Sequence, residues 1–180
     1  MDAILEELLR HGVALVGLNV LLQQLGLPIP SVPTMMVAGA LALDGRISGA
    51  GAFAISVAAS VVADVLWFAG GRRFGYRVLK LLCRMSLSPD ACVRETEGIF
   101  ERWGFYSLVV SKFVPGFSTV APPMAGALRM RLPQFLLATV ASAVLWVGVA
   151  MGAGALFRRE IDWLLGWMSR HAALAGIAIG

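Results

Sequence analysis

Charge is scarce in this chain. Of its 180 residues, 14% are Asp, Glu, Lys or Arg, against about 25% in an ordinary soluble domain. Cysteine is rarer still, with Cys83 and Cys92 alone. Two cysteines without a CxxC build neither a disulfide scaffold nor a zinc site, and both are read as reduced thiols on the cytosolic side. Histidine occurs only as His11 and His171, both read as interfacial. No nucleophile–base pair, metal-ligand cluster or phosphate-cradling glycine loop is visible. The expectation is a protein that is not an enzyme and needs no cofactor or metal.

Apolar residues are what the chain has in excess. They make up 58% of it, and the mean hydropathy is +0.79. A soluble globule of this size has no interior large enough to hide them. The fold class expected is an all-α integral membrane protein, with residues 1–180 forming one membrane domain. The net charge is +4. Its basic residues cluster beside apolar runs, which points to an anionic membrane surface and not to nucleic acid.

The layout follows from charge-free gaps and prolines. Asp2, Glu6 and Glu7 precede the first apolar run and no small-residue cleavage site follows it, so it reads as a membrane helix from about Ile4 to Leu25, not a cleaved signal. Pro28, Pro30 and Pro33 cannot continue that helix. Thr34 to Leu43 has ten residues, half of what a span needs, so residues 27–44 are expected to form a re-entrant hairpin. Gly49 to Gly70 spans, with small residues at helical spacing and one charge, Asp64. Arg73, Arg77, Lys80 and Arg84 then share one helical face, opposite Phe74, Val78, Leu81 and Met85. Residues 71–104 therefore read as amphipathic interfacial helices on the cytosolic side, restarted at Ser88-Pro89.

Residues 105–128 are broken at Pro115-Gly116 and again at Pro122-Pro123, giving arms too short to span: a second hairpin. Leu132 to Phe157 is uncharged for 26 residues and carries Gly148-x3-Gly152, a close-packing pattern. Trp163 and Trp167 mark an interfacial segment. The two halves, 1–70 and 105–180, look alike. If they are inverted, one hairpin enters from each side, and proline-interrupted segments in corresponding positions point to a transport site at the midplane.

These motifs resemble a known family. Leu25-Gly26-Leu27-Pro28-Ile29-Pro30, Ala38-Gly39-Ala40-Leu41-Ala42 with Asp44, Asp64-x2-Trp67-Phe68-x2-Gly71-Arg72-Arg73, and Lys112-Phe113-Val114-Pro115-Gly116-Phe117 with Ala125-Gly126 are similar, in this order, to the signatures of the DedA family of bacterial inner-membrane proteins, which share the VTT core domain. The resemblance implies two facing re-entrant hairpins and movement of a lipid carrier of undecaprenyl phosphate type, a flippase role supporting envelope homeostasis, with proton coupling in some members. The chain departs from the pattern at Val32 and Ser118, where the family carries an acid and an arginine, and at Lys112, where it carries an arginine. That marks a divergent branch. A small-oxyanion transporter and a non-transporting assembly factor are the alternatives.

Lys112 is the leading site residue, with nine uncharged residues before it and sixteen after it, which is expensive in lipid. It reads as a phosphate contact at a hairpin tip or as a snorkelling lysine. Ser118 and Thr119 are the hydroxyl donors expected beside it. Asp44 reads as a gate competing for Lys112, or as a solvated turn. Asp64 has two basic candidates for an ion pair, Arg72 and Lys112, with Arg72 the nearer in sequence. Pro28, Pro30, Pro115 and Gly116 shape the tips. Expected partners are membrane lipids and anionic head groups, with a homo-oligomer left open. The basic stretch from Arg72 to Arg102 sets a bacterial inner-membrane orientation with that stretch and the amino terminus both cytosolic.

Overall fold

The computed structural model of the chain describes residues 2–75, 77, 98, 102–114 and 117–157. Six α-helices and no strand occur among the described residues: α1 (Asp2–Gln24), α2 (Ser31–Leu43), α3 (Gly49–Phe74), α4 (Phe105–Ser111), α5 (Phe117–Ala127) and α6 (Leu132–Leu156). Most of the expected amphipathic segment, Pro115 and Gly116, and the chain beyond Phe157 lie outside the described residues.

The long helices are α3 and α6, with 26 and 25 residues, and they are the two described helices long and apolar enough to cross a bilayer. Ser48 caps α3 by accepting the Gly51 N–H at 3.1 Å. Arg72 and Arg73 sit in its last turn, against the negative end of the helix dipole, and Gly75 at φ 58° ends it.

Proline placement differs from expectation in two places. Helix α2 starts at Ser31, with Pro30 as N-cap and Pro33 in its first turn, where a missing N–H removes no intrahelical bond. Pro122 and Pro123 do not break the second hairpin again; both lie inside α5 and are buried. They leave the Ser118 and Thr119 carbonyls without their α-helical donors, and tight packing of α5 on α3 offsets that loss.

The glycines show how tight that packing is. A methyl group on Gly71 would strike the Pro123 carbonyl, and one on Gly126 the Phe68 carbonyl. The same happens where α2 crosses α6: a methyl on Gly39 would strike the Met151 carbonyl, and one on Gly154 that of Met36. The close-approach glycine of α6 is therefore Gly154. The expected pair does not play that part: Gly148 meets only the edge of Phe53 at 3.9 Å, and nothing lies within 4 Å of Gly152.

These two crossings are copies of each other. Pro28-x2-Ser31 and Ala38-Gly39-Ala40-Leu41 recur as Pro115-x2-Ser118 and Ala125-Gly126-Ala127-Leu128, 87 positions on. Met36 and Gly39 of α2 correspond in this register to Pro123 and Gly126 of α5. Phe68 and Gly71 of α3 correspond, 83 positions on, to Met151 and Gly154 of α6. Each half lays its short helix on the other half's long helix at matching residues, and a reciprocal contact of this kind is two-fold.

The direction of α1 departs from the expected layout. Gly12 faces Ile47, Gly17 faces Ile55, and Gln24 bonds Ser60. Residue numbers rise together, so α1 runs parallel to α3. Its last residues reach only the level of Ser60, partway along α3; residues 27–44, expected to form a hairpin by themselves, hold the single helix α2, which pairs with α1 as the first helical hairpin. The second hairpin is α4 and α5, of 7 and 11 residues. The first hairpin joins α3 at Ser48, whereas α5 crosses α3 at Phe68–Gly71, about 30 Å further along at 1.5 Å per residue. The two hairpins thus enter the helix pair from opposite ends, and the start of α1 lies at the end opposite Arg72. The expectation that the amino terminus and Arg72 share one side is not met by this fold.

Candidate functional site

Both hairpin tips open onto one cavity of about 760 Å³. From the first hairpin it is lined by Gln23, Gln24 and the stretch Gly26 to Pro30, with Val32 and Met36 beyond. From the second come Lys112, Phe113, Ser118 and Thr119, and α6 closes it with Trp146, Val149, Ala150 and Ala153. Pro28, Pro30, Lys112, Ser118 and Thr119 thus line the same space. Val32 and Ser118, the positions of the departed acid and arginine, line the same space.

Lys112 follows the last residue of α4. Its ammonium lies 2.8 Å from an Asp64 carboxylate oxygen, with the two side chains 3% and 5% exposed. Thr139 of α6 donates its hydroxyl to the same carboxylate. The Trp146 ring centroid is 6.0 Å from the ammonium, within cation–π reach. A buried ion pair therefore ties the second tip to both long helices. Asp64 lies two helical turns short of Arg72, whose exposed guanidinium sits 5.9 Å over the Phe68 ring instead. The Asp64–Arg72 pairing is replaced by Asp64–Lys112, because burial forces the carboxylate to take the charge that the tip brings to it.

Asp44 is elsewhere. It caps the far end of α2, exposed, eight residues past the last cavity residue of that helix, about 12 Å away. Competition between Asp44 and Asp64 for the ammonium has no geometric basis.

The cavity has further polar groups that sequence reasoning passed over. The Ser31 hydroxyl donates to Gln23 Oε1, Gln24 Nε2 donates to Ser60 Oγ at 3.0 Å, and the Trp67 indole donates to the Gln24 carbonyl at 3.1 Å. Adjacent glutamines just before a proline stretch in an apolar chain were the available signal. Thr139 had one too, as a polar residue in an otherwise apolar span. Chemically, the pocket offers an ammonium, amides and hydroxyls at its inner end. At its mouth stand exposed apolar side chains: Leu27, Val32, Phe113 and Val149 are 45%, 39%, 45% and 59% exposed.

A family model, the VTT domain, matches residues 29–156. An uncharacterized membrane protein of Synechocystis is 26% identical over 97% of this chain and 82% of its own length. One of Mycobacterium leprae is 32% identical over 82% of this chain and 72% of its own. An alkaline phosphatase-like protein of Lactococcus lactis is 20% identical over 99% of this chain and 86% of its own. The chain spans 63% of the length of a similar Mycobacterium bovis membrane protein. No solved structure matches.

Proposed function

The chain belongs to the VTT-domain family of membrane proteins, and from that premise we propose that it is a flippase-like transporter moving a phosphate-headed lipid carrier, of undecaprenyl phosphate type, across the bacterial inner membrane. In this reading α3 and α6 span the bilayer, and the hairpins re-enter it from opposite faces. Residues 27–30, Lys112, Phe113, Ser118 and Thr119 then meet near the midplane, where irregular backbone is tolerated because it lines a cavity.

One observation carries the reading: the inner end of the cavity holds a cation and its mouth is apolar and exposed. A small oxyanion needs a closed polar chamber. A lipid needs a polar seat for its head and an apolar exit for its chain, and Leu27, Val32, Phe113 and Val149 supply such an exit. The Lys112 ammonium supplies the charge for the head group, with Ser118 and Thr119 as hydroxyl donors on the same wall. The Lys112 ammonium and the Thr139 hydroxyl share one oxygen of Asp64, so Thr139 can hold the carboxylate when the ammonium turns to a phosphate.

The test uses Val149→Cys in a Cys83→Ser/Cys92→Ser background, labelled with a maleimide in detergent. Polyprenyl phosphate is expected to slow labelling severalfold, and inorganic phosphate at equal concentration to leave it unchanged. Protection by inorganic phosphate alone favours the small-oxyanion reading.

A further inference from the structure

The two ends of the molecule differ in charge. Arg72 and Arg73 close α3, and Arg129 and Arg131 flank the turn from α5 to α6. The α5 crossing joins the two pairs, because Gly126 abuts the Arg72 backbone. Arg77 lies two residues past Gly75, and Arg102 two residues before Gly104, where α4 begins. Helix α4 runs parallel to α6, since Ser142 bonds Val109 and Trp146 faces Lys112, so its start lies at the start of α6. Six exposed arginines therefore crowd one end, and no described acid lies there. The opposite end holds Asp44 and Arg46 in the turn before α3, and α1 starts there, with Asp2, Glu6, Glu7 and Arg10 in its first turns.

Aromatic side chains mark a level beside the arginines. Phe74, Trp103 and Tyr106 are 57%, 61% and 68% exposed. Aromatic rings of this kind sit at the level of lipid head groups, and the Arg73 guanidinium lies 5.8 Å over the Phe74 ring. The arginines project from this level at the end where α3 stops and α6 starts.

We propose that this arginine end is the surface that docks on the anionic phospholipid head groups of the cytosolic leaflet, and that the amino terminus lies on the opposite, outer face. Six described basic residues at this end against Arg10 and Arg46 at the other fix the orientation. The direction of α1 does the rest, because a helix parallel to α3 starts where α3 starts. The inference needs only that α3 and α6 cross the bilayer; it does not depend on the substrate.

Two single-cysteine proteins test it, Leu43→Cys and Leu128→Cys, each in the Cys83→Ser/Cys92→Ser background. Both positions are exposed, one at each end. An impermeant maleimide added to intact spheroplasts is expected to label Leu43→Cys at least tenfold faster than Leu128→Cys, with Leu128→Cys reached only after permeabilisation. Faster labelling of Leu128→Cys, equal labelling, or failure to label Leu43→Cys from outside overturns the proposal. A second measurement addresses the lipid: purified full chain is heated in phosphatidylglycerol and in phosphatidylcholine nanodiscs. Greater thermal stability in phosphatidylglycerol, lost in the Arg73→Gln/Arg77→Gln/Arg131→Gln protein, supports anionic docking; equal stability in both lipids contradicts it.

Discussion

Removing one member of the Asp64–Lys112 pair is expected to cost far more than removing both. At 2.8 Å and an effective dielectric of about 20, the Coulomb attraction is about 6 kcal/mol, and desolvation of the two groups offsets most of it. What a single substitution exposes is the desolvation left uncompensated, about 3–5 kcal/mol for a buried pair. Lys112→Met should therefore cost about 3–5 kcal/mol, because Asp64 is walled in and keeps only the Thr139 hydroxyl. Asp64→Asn should fall at the lower end of that range, because Lys112 borders the cavity and its ammonium can turn into it. The double variant, with two neutral groups of similar size, should recover at least about 2 kcal/mol of the summed losses. Denaturant unfolding of the detergent-solubilised protein measures all three. Additive losses in the double variant, or a Lys112→Met protein within about 0.5 kcal/mol of the parent, the scatter expected of surface changes, would show that the pair is not coupled and that Lys112 only snorkels.

Three further outcomes follow from the two-fold arrangement and the cavity. Alanine at Gly39, Gly71, Gly126 or Gly154 should cost at least about 1–3 kcal/mol by overpacking against backbone, whereas Gly70→Ala and Gly152→Ala, which meet nothing within 4 Å, should be neutral or stabilising by up to about 1 kcal/mol; melting curves separate the two groups. Thr139 and Ser56 are counterparts 83 positions apart, but Ser56 Oγ is buried without a partner and its own counterpart to Asp64 is Val147. Thr139→Val should cost about 1–3 kcal/mol and Ser56→Ala close to nothing, as read from unfolding midpoints. Val149→Trp should fill the cavity mouth and abolish binding of polyprenyl phosphate without lowering the melting temperature, since that side chain is exposed; binding measured by titration checks it.

Composition alone was enough to place this chain among helical membrane proteins, and Pro28 and Pro30 marked the first tip. Lys112 stood out because no other charge lies near it in sequence. Its partner was harder to find, because Arg72 is nearer in sequence and only the fold shows that α4 delivers Lys112 to α3. The direction of α1 was hidden because hydropathy measures length, not which neighbour a helix lies against. Gly12, Gly17 and Gln24 fix that direction, and their role is visible only with Ile47, Ile55 and Ser60 beside them. Pro122-Pro123 read as a break because local propensity ignores the α3 surface. The repeat of Ala38-Gly39-Ala40-Leu41 at residues 125–128 was legible in full and would have exposed the two-fold relation. It was obscured because the register shifts by four between the hairpins and the long helices.

The most direct test of the central claim is transport by the purified chain. Proteoliposomes loaded with a short-chain polyprenyl phosphate on one leaflet are assayed for its appearance on the other, in parallel with uptake of inorganic phosphate. The account predicts lipid movement by the parent and by Lys112→Arg, its loss in Lys112→Ala, and no uptake of inorganic phosphate by any of them. Lipid movement at the parental rate by folded Lys112→Ala protein, or release of free phosphate from the lipid in place of its movement, would contradict it.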